Sequence, residues 1–483
     1  MCSAKQVSVD LSMGTVTGMT ERFSHGGSNQ TVEKFLGIPY AQPPVGNLRL
    51  QRPVAIVSNG HKPYNATFYR PICIQASSSE TDNSESEDCL YLNVFVPETE
   101  ADRTIGHAVM IWVYGGSFTS GSANLYDGTA LAAVGNVIVV TFNYRVGFFG
   151  FYSTGDSSAP GNYGLYDQAQ AFQWVHENIE AFGGDKSRVT IFGESAGSMS
   201  VNFHATYPKN TGRFQRVIGQ SGVVTTPYLN TARNVAEHSM LLGKNMNCST
   251  KQPNKIVECL RKSAWKYIKN TLLKMEATFP GWQVSFFVPI ADGDIIMLPD
   301  KKWYEDPKRI TFFKSLDLIT GRNMYDGGET LIRLVPDVDM MSLTRENMRR
   351  LIDVPTFIDV TGAMSESVRR AILHEYTDWN NPDSHKLIRL QFVNLLTEFF
   401  YGAPAAKTLQ LHADGNMTRY TYAYMFTPVT TSRMPWTPSW LPGADHAEEV
   451  RSVFGLYFLH MAKWEQVLSL QIMTYWSNFA KSG

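Results

Sequence analysis

The sequence predicts an α/β protein built on a large, mostly parallel central sheet, flanked by helices on both faces. Short runs rich in β-branched and aromatic residues recur along the chain, at 107–114, 136–143, 188–192, 315–320 and 419–426. Their apolar residues read as continuous rather than alternating stretches, as in strands covered on both faces. Between the second and third runs, residues 163–182 carry Leu165, Ala169, Phe172, Val175 and Ile179 at helical spacing. Strand, helix, strand in that order is the pattern of a doubly wound parallel sheet.

The helix over 163–182 is expected to stop at Gly183-Gly184-Asp185, because glycine accepts the left-handed conformation that ends helices. A second helix is expected to begin within 198–207, and a last one over 464–480 with Val467, Leu470, Ile472 and Trp476 near its packed face. Residues 77–88, rich in Ser, Glu and Asp, are expected to form an exposed loop closed by Cys73 and Cys89. No repeat or linker divides the 483 residues, so one domain spanning 1–483 is expected.

Composition narrows the function classes. Hydrophobic residues make up 43% of the chain, enough for a large core. Lys plus Arg number 43 against 44 Asp plus Glu, which leaves no general attraction to nucleic acid or anionic membranes. No run of eighteen apolar residues occurs, so no transmembrane segment is expected. The opening residues Met1-Cys2-Ser3-Ala4-Lys5 lack the apolar segment and cleavage site of a signal peptide. Cysteines fall as Cys2, Cys73 with Cys89, and Cys248 with Cys259, which predicts two small disulfide loops and one leftover, since neither pair has zinc-site spacing. With sequons at Asn29, Asn65, Asn247 and Asn416, the expected route is secretory and the product a glycoprotein.

The chemistry is written most densely in Gly193-Glu194-Ser195-Ala196-Gly197, placed between a predicted strand and a predicted helix. A serine on such a turn is held out for nucleophilic attack, and glycines flank it because side chains there collide with neighbouring backbone. Acyl transfer also needs donors for the developing oxyanion. Gly115-Gly116-Ser117-Phe118 follows directly on the strand at 107–114, so the N–H groups of Gly116 and Ser117, with that of Ala196, are the expected donors.

The proton acceptor is expected to be a histidine, because its pKa lies near neutrality. Seven of the eleven histidines follow Ser195; His446, in a glycine-containing loop near the chain end, is the leading candidate and His412 the competitor. A carboxylate between serine and histidine must orient the imidazole. Asp326, just past the strand at 315–320, is the leading candidate, with Asp317 and Glu329 as alternatives.

At this point the residues resemble the type-B carboxylesterase and cholinesterase family. The resemblance rests on FLGIPYA from Phe35, EDCLYLN from Glu87, GNVIVVTFNYRVG from Gly135 and GNYGL from Gly161. GADHAEEVRSVFG from Gly443 and the ending YWSNFAKSG are similar to its bile-salt-activated lipase branch. The resemblance implies an α/β-hydrolase with catalytic Ser195, Asp326 and His446, an oxyanion hole on Gly116, Ser117 and Ala196, and disulfides Cys73–Cys89 and Cys248–Cys259. It implies hydrolysis of lipid, steryl or small acyl esters without cofactor or metal, and bile salts as candidate partners.

Two departures from the family pattern matter. Position 117 is serine where the family usually has glycine or alanine, leaving open whether its side chain points into the oxyanion site or away. The stretch between Cys73 and Cys89 holds no tryptophan, so the aromatic platform that cholinesterases use for a quaternary ammonium is missing. A non-catalytic adhesion or scaffold role stays open as the other class, against which the retained serine, carboxylate and histidine count.

Overall fold

A computed structural model describes residues 5–56, 63–75, 84–99, 105–226, 232–248, 252–278, 287–298, 301–334, 339–352, 365–415 and 419–483. Cys2, Asn416 and most of the stretch at 77–88 lie outside the described residues.

Among the described residues the main sheet has eleven strands. Ten are long enough to label: β1 (Gln6–Leu11), β2 (Gly14–His25), β3 (Ser28–Pro39), β4 (Tyr91–Pro97), β5 (His107–Val113), β6 (Ile138–Phe142), β7 (Gly184–Glu194), β8 (Arg216–Gln220), β9 (Asp317–Asn323) and β10 (Thr421–Phe426). Their spatial order is β1-β2-β3-β4-β6-β5-β7-β8-β9-β10. The first four and β6 pair antiparallel in succession. From β6 through β10 every pairing is parallel. β5 and β6 are buried along their whole length, as their uninterrupted apolar runs require.

Helices cover both faces of this sheet. On one side α1 (Tyr163–Asn178) and α2 (Ala196–Ala205) meet where Phe172 packs against Phe142 and His204. On the other, Trp112 and Phe192 sit opposite one another in register and close on Phe454, beside the C-terminal helix Lys463–Ser482.

Several expected boundaries move. The helical stretch at 163–182 is α-helical only to Asn178; residues Ile179–Phe182 tighten into a 3-10 turn that Gly183 ends at φ 79°. β9 starts at Asp317 and runs to Asn323, displaced toward the chain end from 315–320. α2 begins at Ala196, directly after Ser195, ahead of the expected 198. In the final helix Ile472 and Trp476 are buried but Val467 is exposed. Five residues from Val467 to Ile472 turn a helix by well over one revolution, so the two cannot share a face.

The stretch before Cys89 is not simply exposed. Buried Glu85 accepts from Lys269 Nζ at 2.8 Å, and Glu87 pairs with Arg49 at 2.6 Å. Arg49 also donates to the carbonyls of Leu260 and Ser263, which end α3 (Pro253–Lys262) and precede α4 (Trp265–Ala277). Disulfides join Cys73 to Cys89 and Cys248 to Cys259, the latter inside α3, so two covalent loops are clamped together by buried charge. The sequon residues Asn29, Asn65 and Asn247 are exposed. Among the described residues no helix is long and apolar enough to cross a membrane.

The sheet core yields a direct test. Trp112 is fully buried among Tyr126, Phe192 and Phe454. Trp112→Ala is expected to cost about 3–5 kcal/mol of unfolding free energy in chemical denaturation. A loss below about 1 kcal/mol would show that this contact does not anchor the sheet.

Candidate active site

The parallel register levels the carboxyl ends of four strands. Val113 of β5 lies opposite Gly193 of β7, Glu194 opposite Gln220 of β8, and Gln220 opposite Gly321 of β9. The chain leaves β5 for β6 on one side and returns to β7 on the other, so the strand order reverses between β5 and β7. That reversal opens a crevice at the carboxyl edge of an α/β sheet. Gly115 to Ser117 leave β5 on one side of it, and Ser195 leaves β7 on the other.

Backbone contact dictates the glycines here. A Cβ on Gly197 would lie 1.9 Å from the carbonyl oxygen of Val113, and one on Gly193 would lie 2.6 Å from Val113 and Gly197 backbone. Ser195 itself adopts φ 55°, ψ −123°, outside the regions that serine favours, between the last strand residue and the first helical one. Its N–H donates to Gln220 O at 2.8 Å, which holds the turn against β8.

The turn after β5 is equally unusual: Gly116, Ser117 and Phe118 all have positive φ, at 107°, 56° and 62°. A Cβ on Gly116 would meet Ser120 O at 2.3 Å. Among the described hydrogen bonds, the N–H groups of Gly116, Ser117 and Ala196 have no protein acceptor. Unpaired N–H groups at partly or fully buried positions are uncommon, and they cluster here at one place.

The structure brings Asp326 and His446 together. His446 Nδ1 lies 2.9 Å from Asp326 Oδ1 and donates to it. The other oxygen of Asp326, which is fully buried, accepts from Ser221 Oγ at 2.9 Å and from Asn323 N at 2.8 Å. Among the described hydrogen bonds none joins Ser195 Oγ to the imidazole. His446 Nε2 instead lies 3.2 Å from Glu194 Oε1, without the alignment of a hydrogen bond, and 3.8 Å from Glu329 Oε2.

Two of the alternative residues lie at the far end of the strands. Asp317 opens β9 and pairs with Arg216 at 3.3 Å, so the length of the strand separates it from Asn323 and Asp326. Both nitrogens of His412 are occupied, by Thr421 Oγ1 at 2.7 Å and Leu316 O at 2.9 Å, at that same far end. Glu329 is different: it stands in the first turn of α5 (Gly327–Leu334) and faces the imidazole.

A model of the carboxylesterase family matches residues 5–483. The chain belongs to the carboxylesterase family. Bile salt-activated lipase of Mus musculus is 35% identical over 503 residues, covering 100% of this chain and 80% of the lipase. The Rattus norvegicus protein of the same name is 35% identical over 499 residues, covering 100% of this chain and 78% of its own length. Neuroligin-2 of Mus musculus is 33% identical over 527 residues, covering 98% of this chain but 60% of neuroligin-2.

As in any carboxylesterase-family fold, the loop bearing His446 has to be carried to the sheet, and here buried polar groups do it. Glu449 accepts from Gln220 Nε2 at 2.9 Å and Asn323 Nδ2 at 2.6 Å, while Asn323 Nδ2 also donates to Asp445 O. Trp476 of the last helix donates to Gln220 Oε1 at 3.1 Å. Arg433 pairs with Glu448 at 3.2 Å and donates to the carbonyls of Leu441 and Gly443. Tyr401 lies over the His446 ring, centroids 5.0 Å apart, presented by a π-helical turn at Glu398–Gly402.

Sequence reasoning passed over Ser221, Glu449, Gln220, Asn323 and Tyr401. Ser221 was within reach: it follows β8 as Ser195 follows β7, and shares a positive φ of 55°. The others have no local pattern, because their partners lie far away in the chain.

The site is crowded with carboxyl groups. Burial raises Glu194 well above the ordinary carboxyl range; Glu449, Glu329 and Asp326 add to this and His446 opposes it. Burial likewise pushes Asp445 up to about 6. For His446, burial works against the charged ring, but Tyr401, Glu194, the Asp326 hydrogen bond and Glu329 outweigh it and hold the imidazole well above the usual histidine range. Among the described residues no group of three or more His, Cys, Asp or Glu is placed to hold a metal ion.

An NMR titration of the His446 ring is therefore expected to give a midpoint above that of an exposed histidine. Glu194→Gln removes a carboxylate that favours the charged ring, so the midpoint should move down. A midpoint that stays or rises contradicts this account of the electrostatics.

Proposed function

We propose that the chain is a serine carboxylester hydrolase acting through an acyl-enzyme on Ser195. The observation that carries this reading is the convergence, at one sheet edge, of a serine on a strained turn, three N–H groups without protein acceptors, and an imidazole bonded to a buried carboxylate. Ser195 Oγ attacks the ester carbonyl carbon while His446 Nε2 takes its proton. This requires Nε2 to turn from Glu194 toward the serine, the kind of tightening that substrate-free sites show on binding. The N–H groups of Gly116, Ser117 and Ala196 receive the oxyanion. The leaving alkoxide takes the proton from Nε2, and water then releases the acyl group with His446 as base. Asp326 keeps Nδ1 protonated and the ring oriented throughout.

Similarity to bile salt-activated lipases supports lipid esters as substrates, with bile salts as activators. The two disulfides and the exposed Asn29, Asn65 and Asn247 support passage through the secretory route.

Ser195→Ala is expected to lower turnover of p-nitrophenyl butyrate by at least about 10⁴-fold with the melting temperature retained, and Asp326→Asn by about 10⁴-fold. Unchanged turnover in Ser195→Ala would refute the nucleophile. Rates on short- and long-chain acyl esters, each with and without taurocholate, address the substrate: hydrolysis of long chains that rises with bile salt is expected. Long chains inert under both conditions would leave a short-chain esterase.

A further inference from the structure

Ser117 stands in the oxyanion turn at φ 56°, a conformation that favours glycine and burdens any other side chain. Its neighbour Phe118 shares that strain but is anchored by burial against Phe151 and by accepting from Gly147 N at 2.7 Å. Ser117 is anchored from elsewhere. Arg333, 216 positions away on α5, donates from Nη1 to Ser117 Oγ at 3.0 Å. The same guanidinium donates from Nη2 to Glu329 Oε1 at 2.6 Å, one helical turn back. The other oxygen of Glu329 faces His446 Nε2 at 3.8 Å, and its N–H donates to Asp445 Oδ1 at 3.1 Å.

We infer that Arg333 is a positioning residue for the oxyanion turn: braced by Glu329, it holds the Ser117 hydroxyl away from the oxyanion site and so aims the Ser117 N–H into it. An untethered serine side chain in this turn is free to rotate into the space of the oxyanion, where its bulk displaces the incoming oxygen from the backbone N–H donors. Accepting a charge-assisted hydrogen bond from Arg333 fixes Oγ on the outer side. The brace leaves from the helix that follows Asp326, so the turn bearing the donors and the segment bearing the carboxylate are tied by one side chain. Arg333 touches neither substrate nor reacting atoms; it acts through Ser117. The inference rests on the ester-hydrolase reading above.

The test is a double-mutant comparison on p-nitrophenyl butyrate, with inhibition by a trifluoromethyl ketone whose hemiketal oxyanion occupies the same site. Arg333→Met is expected to lower kcat about tenfold, less than loss of a whole donor, with KM within about twofold and the ketone inhibition constant rising about tenfold in step. In the Ser117→Gly background there is no hydroxyl to hold, and the same substitution should change kcat by less than about twofold. Equal falls in both backgrounds, or no fall in the native chain, overturn the inference while leaving the esterase reading intact. A native chain inert toward every ester overturns that reading instead, and the inference with it. If Arg333→Met does not fold, Arg333→Lys in the two backgrounds decides by the same criterion, a larger fall with Ser117 present than without it.

Discussion

The structure around the site depends on one buried contact, the 2.9 Å hydrogen bond between Asp326 and His446. Burying a carboxylate is costly unless its lone pairs are used, and Asp326 meets that condition with Ser221, Asn323 N and the imidazole. Each of these partners comes from a different segment. The contact can form only when β8, β9 and the loop at 443–449 have all reached their places, so a local hydrogen bond reports on the assembly of the whole carboxyl edge.

The surrounding negative charge gives that contact its consequence. Glu194, Glu329, Asp445 and Glu449 stand within the same buried region, and no cation among the described residues faces Nε2. Glu449 is satisfied by two amides, and one oxygen of Asp445 by two backbone N–H groups, while Glu194 and Glu329 face the ring nitrogen Nε2. An imidazole placed there gains charge readily, and it can accept a proton only in its neutral form, so these carboxyl groups move that form toward higher pH. Arg333 lies on the outer side of Glu329, so it neutralises one carboxyl oxygen and leaves the other toward the ring.

Backbone proximity is the second constraint. Gly193, Gly197 and Gly115 occupy positions where a Cβ would strike atoms of the facing segment, so the turn after β5 and the serine turn lie within van der Waals contact of each other. Ser117 departs from this economy of small residues, and a long-range hydrogen bond accompanies the departure. Buried charge pairs elsewhere follow the same logic: Glu87 and Glu85, within the first disulfide loop, pair with Arg49 and Lys269.

Local pattern in the sequence was enough for β5, β6, β7, β9 and β10, the first long helix and the serine turn, because each is set by neighbours in the chain: apolar runs, helical spacing, flanking glycines; β1 to β4 and β8 were not read from it. Asp326 and His446 were legible only as preferences over Asp317 and His412. The strand register places Asp317 and His412 at the amino end of β9, a full strand away from Asp326 and His446. The orientation of the Ser117 hydroxyl and the carboxyl crowd around Nε2 were not legible at all, and of the last helix's packed face Ile472 and Trp476 were read and Val467 was misplaced. They arise from contacts such as Arg333 with Ser117 and Trp476 with Gln220, whose members lie hundreds of positions apart and carry no local signature. Short-range chemistry determined which turns and strands form, and long-range packing alone determined which side chains they present to one another.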